Sequence, residues 1–244
     1  MDFKVRAFGA CMIGGFPHPF EDSGFHLAMK RLRKETGHNI QSSIYTLGGF
    51  PVPRILKHVP SRCLADQPDI VVLQFGSSDL VVPVRRKRHA RHMVSGANTV
   101  RAKPANLVCQ LRWRIQSLIG DGLRLSPVTA PEIYLACMSR MVQMIAEHQA
   151  VPVVLSPFVF GAQRSDRIAR HCVELLQQAV ATVPTAQYVD VYSALDQFPR
   201  REMLLSDGTH LTLKGQAVTG ECLFTVLNRV VRERSRTPTL GGRI

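Results

Sequence analysis

Long apolar runs are missing from this chain. The longest, residues 151–160, is interrupted by Pro152 and Pro157, whereas a membrane-crossing helix takes about 20 apolar residues. The start of the chain lacks the charged, apolar and small-residue blocks of a secretory leader, since residues 3–8 read Phe-Lys-Val-Arg-Ala-Phe. A cytoplasmic location is therefore the expectation. Close cysteine pairs are absent too: Cys11, Cys63, Cys109, Cys137, Cys172 and Cys222 are scattered, which fits neither a zinc knuckle nor a disulfide scaffold. They read as reduced thiols. Aromatic residues are few, and Trp113 is the sole one between Arg85 and Arg124, so the basic residues there lack the interleaved rings of a single-strand stacking surface. No specific nucleic-acid partner is expected.

Acidic residues are scarce as well, 18 against 31 lysines and arginines, for a net charge of +13. The excess is uneven. Arg85, Arg86, Lys87, Arg88, Arg91, Arg101, Lys103, Arg112, Arg114 and Arg124 face the single acid Asp121 within one segment, and Arg229, Arg232, Arg234 and Arg236 form a second run. Such fields draw in anions and leave the fold undetermined.

What is present is enough for one core. At 244 residues and 45% apolar content, the chain suits a single α/β domain over 1–234, with a basic insertion or cap at about 83–129 and a disordered tail at 235–244. Strand-like runs at 5–8, 43–47, 70–75, 151–156 and 188–192 alternate with helical patterns at 24–36, 53–65, 131–149, 164–181 and 213–232. The runs at 70–75 and 151–156 are continuously apolar rather than alternating, the signature of strands covered on both faces. A five-stranded parallel sheet in a three-layer α/β/α sandwich follows, and its order is taken as the flavodoxin-like 2-1-3-4-5. In that order the turns leaving strands 1 and 3 face one crevice. The long irregular stretch between 82 and 129, with one helical pattern at 105–119, exceeds an ordinary βα loop and reads as a basic cap.

Four motifs sit on this framework. The first strand ends in Phe8-Gly9-Ala10-Cys11-Met12, the second in Leu47-Gly48-Gly49, and the third in Val72-Leu73-Gln74-Phe75-Gly76-Ser77-Ser78-Asp79-Leu80. Near the end comes Asp207-Gly208-Thr209-His210-Leu211-Thr212-Leu213-Lys214-Gly215. An acid and an imidazole three residues apart, with a thiol leaving strand 1, supply the residue types of a nucleophile, a base and a base-orienting carboxylate.

In their order these motifs resemble the SGNH (GDSL-like) hydrolase family, over roughly residues 3–82 and 131–230. The first resembles that family's Gly-Asp-Ser-Leu block, with Ala10 at the aspartate and Cys11 at the serine. The third resembles its Gly-Thr-Asn-Asp block, with Ser78 at the asparagine. The resemblance implies Cys11 as nucleophile, His210 as general base and Asp207 as the group fixing the imidazole. It also implies an oxyanion hole from the N–H of Cys11, the N–H of Gly49 and a donor at Ser78. No cofactor or metal is expected. Sulfur beside imidazole favours a thiolate and a thioester intermediate, so the expected reaction is ester or thioester cleavage, or acyl transfer, on a small acyl or acetylated substrate. An anionic carrier or acidic polysaccharide is the expected visitor at the basic insertion.

Other readings stand beside this one. Cys11 and Ser78 also fit an impaired site that binds a small ligand, and the arginines fit a binder of anionic polymers or membrane surfaces. Asp207 also suits a cap of the following helix, Ser78 a turn residue bonded to its own backbone, and His210 a structural hydrogen bonder.

Overall fold

The computed structural model describes residues 2–47, 50–80, 127–158, 163–205 and 210–236. Five strands, β1 Asp2–Gly9, β2 Asn39–Thr46, β3 Ile70–Gln74, β4 Val151–Leu155 and β5 Gln187–Val189, form one parallel sheet in the order β2-β1-β3-β4-β5. This is the expected order. All residues of β3 and β4 are buried, as their unbroken apolarity required. The edge strand β2 is polar and half-open instead.

The helices are α1 Gly24–Thr36, α2 Val52–Ile55, α3 Pro131–Glu147, α4 Gln163–Ala181, α5 Val191–Asp196, α6 Arg200–Met203 and α7 Leu213–Arg236. Helices α1 and α7 pack on each other, as do α3 and α4, and the two pairs form the outer layers. Ser23 caps α1 by accepting from the His26 N–H at 3.1 Å, and Gly37 ends it in the left-handed conformation. That start and stop explain why α1 falls on its expected residues.

Three expectations need correction. The run at 188–192 is strand only to Val189, because the Asp190 side chain accepts from the Ser193 N–H at 2.9 Å and starts α5. The helix expected over 53–65 breaks after Ile55 into a short 3-10 turn and a π-turn, Val59–Cys63, containing Pro60. Proline there offers no N–H to the carbonyl one turn back. Helix α7 runs through Arg236, so Ser235, expected in the tail, is helical and donates to Val231 O at 2.7 Å. Most of the basic insertion, including its helical pattern at 105–119, lies outside the described residues, as does the chain after 236.

Two members of the second basic run, Arg229 and Arg234, are bound to distant groups of the protein. Arg234 donates to Asp69 O at 3.2 Å and Gln149 O at 2.8 Å, and Arg229 to Gln187 Oε1 at 2.7 Å. Those acceptors lie at or just before the amino ends of β3, β4 and β5, at the opposite pole of the sheet from Cys11. Among the described residues, no helix is long and apolar enough to cross a membrane.

Candidate active site

Cys11 leaves β1 where that strand is fastened on both sides. The Ala10 N–H donates to Gln74 O on β3, and the Leu47 N–H donates to Gly9 O, each at 2.9 Å. A Cβ on Gly9 would lie 2.7 Å from Gln74 O, so only glycine lets β1 and β3 approach this closely at the turn. Cys11 then opens a 3-10 turn, Cys11–Gly14, with its side chain half-buried.

His210 arrives from the other end of the chain on a tight return. Leu204 and Leu211 form an antiparallel bridge, the Leu205 N–H donates to His210 O at 2.8 Å, and the Thr212 N–H donates to Met203 O at 2.9 Å. The ring is 4% exposed. Its Nε2 lies 3.5 Å from Cys11 Sγ, within hydrogen-bond range for sulfur, across 199 positions of sequence. Either tautomer permits the contact, as S–H to N or as N–H to thiolate.

Two residues of the segment after Cys11 steady this return, and the sequence motifs left them out. Phe16 meets the His210 ring edge-on, with centroids 5.0 Å apart at 66°. His18 donates from Nε2 to Leu211 O at 3.0 Å. Their signal in sequence is weak, because an aromatic and a histidine beside Pro17 and Pro19 read as ordinary loop residues.

The third motif forms the turn after β3. Gly76 has a φ of 119°, and a Cβ on it would lie 2.5 Å from Pro157 Cβ. Its carbonyl accepts from the N–H groups of Asp79 and Leu80 at 3.1 and 2.9 Å. Ser78 is half-buried in this turn and Asp79 is buried. Asp207, Gly48 and Gly49 lie outside the described residues. The structure therefore brings Cys11 and His210 together and places Ser78 after the neighbouring strand.

The remaining described thiols differ from Cys11 in their surroundings. Burial pushes the Cys63 thiol up to about 12 and that of Cys172 up to about 11. Burial also raises those of Cys137 and Cys222. Neutral thiols of this kind are poor nucleophiles. Among the described residues, no three His, Cys, Asp or Glu side chains cluster in a way that could hold a metal ion.

Comparison with solved structures finds the same architecture. A lipase/acylhydrolase from Enterococcus faecalis has a TM-score of 0.65 at 17% identity, covering 93% of this chain and 96% of that one. A variant of an acetyl xylan esterase from Geobacillus stearothermophilus has a TM-score of 0.64 at 13% identity, with 91% and 93% covered. The psychrotrophic esterase EstA from Pseudoalteromonas sp. has a TM-score of 0.60 at 9% identity, with 94% and 98% covered. At these identities the likeness speaks for the fold alone. Comparison with curated proteins finds no match. Residues 14–218 match the GDSL-like Lipase/Acylhydrolase family, a span that starts just past Cys11 and includes Gly49, Ser78, Asp207 and His210. With that match lying on a β2-β1-β3-β4-β5 parallel sheet, the chain belongs to the GDSL-like lipase/acylhydrolase family, hydrolases that act on ester bonds.

Proposed function

We propose that this protein is an acyl esterase, thioesterase or acyltransferase that works through a thioester on Cys11. The observation that carries this reading is the 3.5 Å approach of Cys11 Sγ to His210 Nε2 at the carboxyl end of β1. His210 takes the thiol proton as sulfur attacks the acyl carbonyl carbon. The carbon–oxygen or carbon–sulfur bond to the leaving group breaks, and the imidazolium returns the proton to that group. Water, an alcohol, an amine or a thiol then attacks the thioester, again with His210 as base. Asp207 holds the imidazole, and the N–H groups of Cys11 and Gly49 with the Ser78 hydroxyl receive the oxyanion, in the roles the family's motifs imply.

A thioester is a better acyl donor to amines and thiols than an oxygen ester, which favours transfer over simple hydrolysis. The substrate is a small O-acyl or thioester compound, and the basic insertion would attract an anionic carrier or acidic polysaccharide. The test is intact-protein mass spectrometry after incubation with acetyl and longer acyl thioesters. The wild type should gain one acyl group mapped to Cys11, Cys11→Ala none, and His210→Ala should acylate about 10²–10⁴ times more slowly. Absence of any adduct on the wild type would leave the ligand-binding reading in its place.

A further inference from the structure

Asp79 is 1% exposed, and one of its carboxylate oxygens serves two donors from distant parts of the chain. Oδ1 accepts from the Val52 N–H at 2.7 Å and from the Thr129 hydroxyl at 2.8 Å. The Thr129 N–H also donates to Asp79 O at 2.9 Å. Burying a carboxylate is costly unless it is well bonded, and burial does push the Asp79 carboxyl above the usual range, against the pull of those two hydrogen bonds.

What the oxygen joins gives the carboxylate its purpose. Asp79 directly follows Ser78 in the turn after β3, and Val52 opens α2 three residues beyond Gly49. Thr129 stands where the chain returns from the basic segment and leads into α3. We propose that Asp79 is a positioning residue for acyl transfer, locking the turn that carries Ser78 against the start of α2 and so fixing the spacing of the oxyanion donors. The inference rests on the acyl-transfer reading of Cys11 and His210. It assigns Asp79 no contact with substrate.

Two reactions at the same sulfur separate this role from general support. Iodoacetamide alkylates a thiolate by displacement at carbon and develops no oxyanion, whereas p-nitrophenyl acetate must pass through one before nitrophenolate leaves and the thioester forms. In the full chain, Asp79→Ala should slow single-turnover acylation at saturating ester on the order of 100-fold. Alkylation of Cys11 should stay within about threefold of wild type, since thiol activation is untouched. Asp79→Asn, whose amide oxygen can accept both bonds, should recover acylation to within about tenfold of wild type. Should Asp79→Ala not fold, as judged by circular dichroism, Thr129→Val removes one of the two bonds and should slow acylation about tenfold with alkylation unchanged.

Unchanged acylation in Asp79→Ala, equal slowing of both reactions, or an Asn variant as slow as the Ala variant would overturn the proposal. Failure of the acyl-transfer reading would look different, since the wild type itself would then form no acyl adduct, and the inference about Asp79 would fall with it.

Discussion

At the scale of single residues, the chemistry rests on a contrast among thiols. Cys11 touches an imidazole, while burial holds Cys63, Cys137, Cys172 and Cys222 in the neutral form. Sub-stoichiometric iodoacetamide at neutral pH should therefore label Cys11 at least about tenfold faster than those four, and His210→Ala should erase the preference. Peptide mapping reads this directly, and uniform labelling would remove the case for an activated nucleophile. Cys11→Ser tests the choice of sulfur. If the thioester matters, the serine variant should lose transfer to amine and thiol acceptors, and a variant that kept full transfer while gaining ester hydrolysis would remove the reason for invoking it. Phe16 packs edge-on against the imidazole and His18 bonds the Leu211 carbonyl beside it, contacts no motif signalled.

Individual elements show where the site draws its rigidity. The turn after β3 depends on Gly76, whose φ of 119° and 2.5 Å Cβ clash with Pro157 leave no room for another residue. Gly76→Ala should lower stability by at least about 2 kcal/mol, from backbone strain and overpacking together, and should impair acylation beyond what the lost stability explains. Denaturant melts set beside single-turnover rates would check it; a variant as stable as the wild type would contradict the turn geometry. Elements also marked the limits of the sequence pattern. Tyr188-Val189-Asp190-Val191-Tyr192 alternates as a strand does. Yet Asp190 caps a helix there, and the Tyr192 N–H donates to Ser156 Oγ at 2.7 Å. A side-chain cap and one long-range bond outweighed local β-propensity.

For the molecule as a whole, Asp79 ties stability to pH. Its carboxyl is held above the usual range by burial, so the folded state binds that proton more tightly than the unfolded chain does. The group's contribution is therefore most favourable below the unfolded pKa. It declines as pH rises through the folded pKa, then levels off. Asp79→Asn, which does not titrate, should gain in melting temperature relative to wild type as pH rises from 4 to 8, in a thermal-melt series at constant salt. A difference independent of pH would show that the ionised carboxylate costs the fold nothing. Two arginines of α7, Arg229 and Arg234, bond to groups at or just before the amino ends of the strands, away from Cys11.

Local pattern was enough for a covered parallel sheet, because unbroken apolar runs at 70–75 and 151–156 demand cover on both faces and parallel strands need helical crossovers; the strand order was taken from the flavodoxin-like arrangement, and the fold has it. The sequence by itself also singled out Cys11, His210 and Ser78 as candidates, from motifs that resemble the family's. The tertiary structure alone decided the 3.5 Å meeting of a sulfur and a nitrogen 199 residues apart. It alone decided that Asp79 ties Val52 and Thr129 to the turn beside Ser78. Local pattern carries periodicity and caps, which act over a few residues. Distances between segments far apart in sequence are set by how closely the layers pack, and no single stretch of chain encodes that.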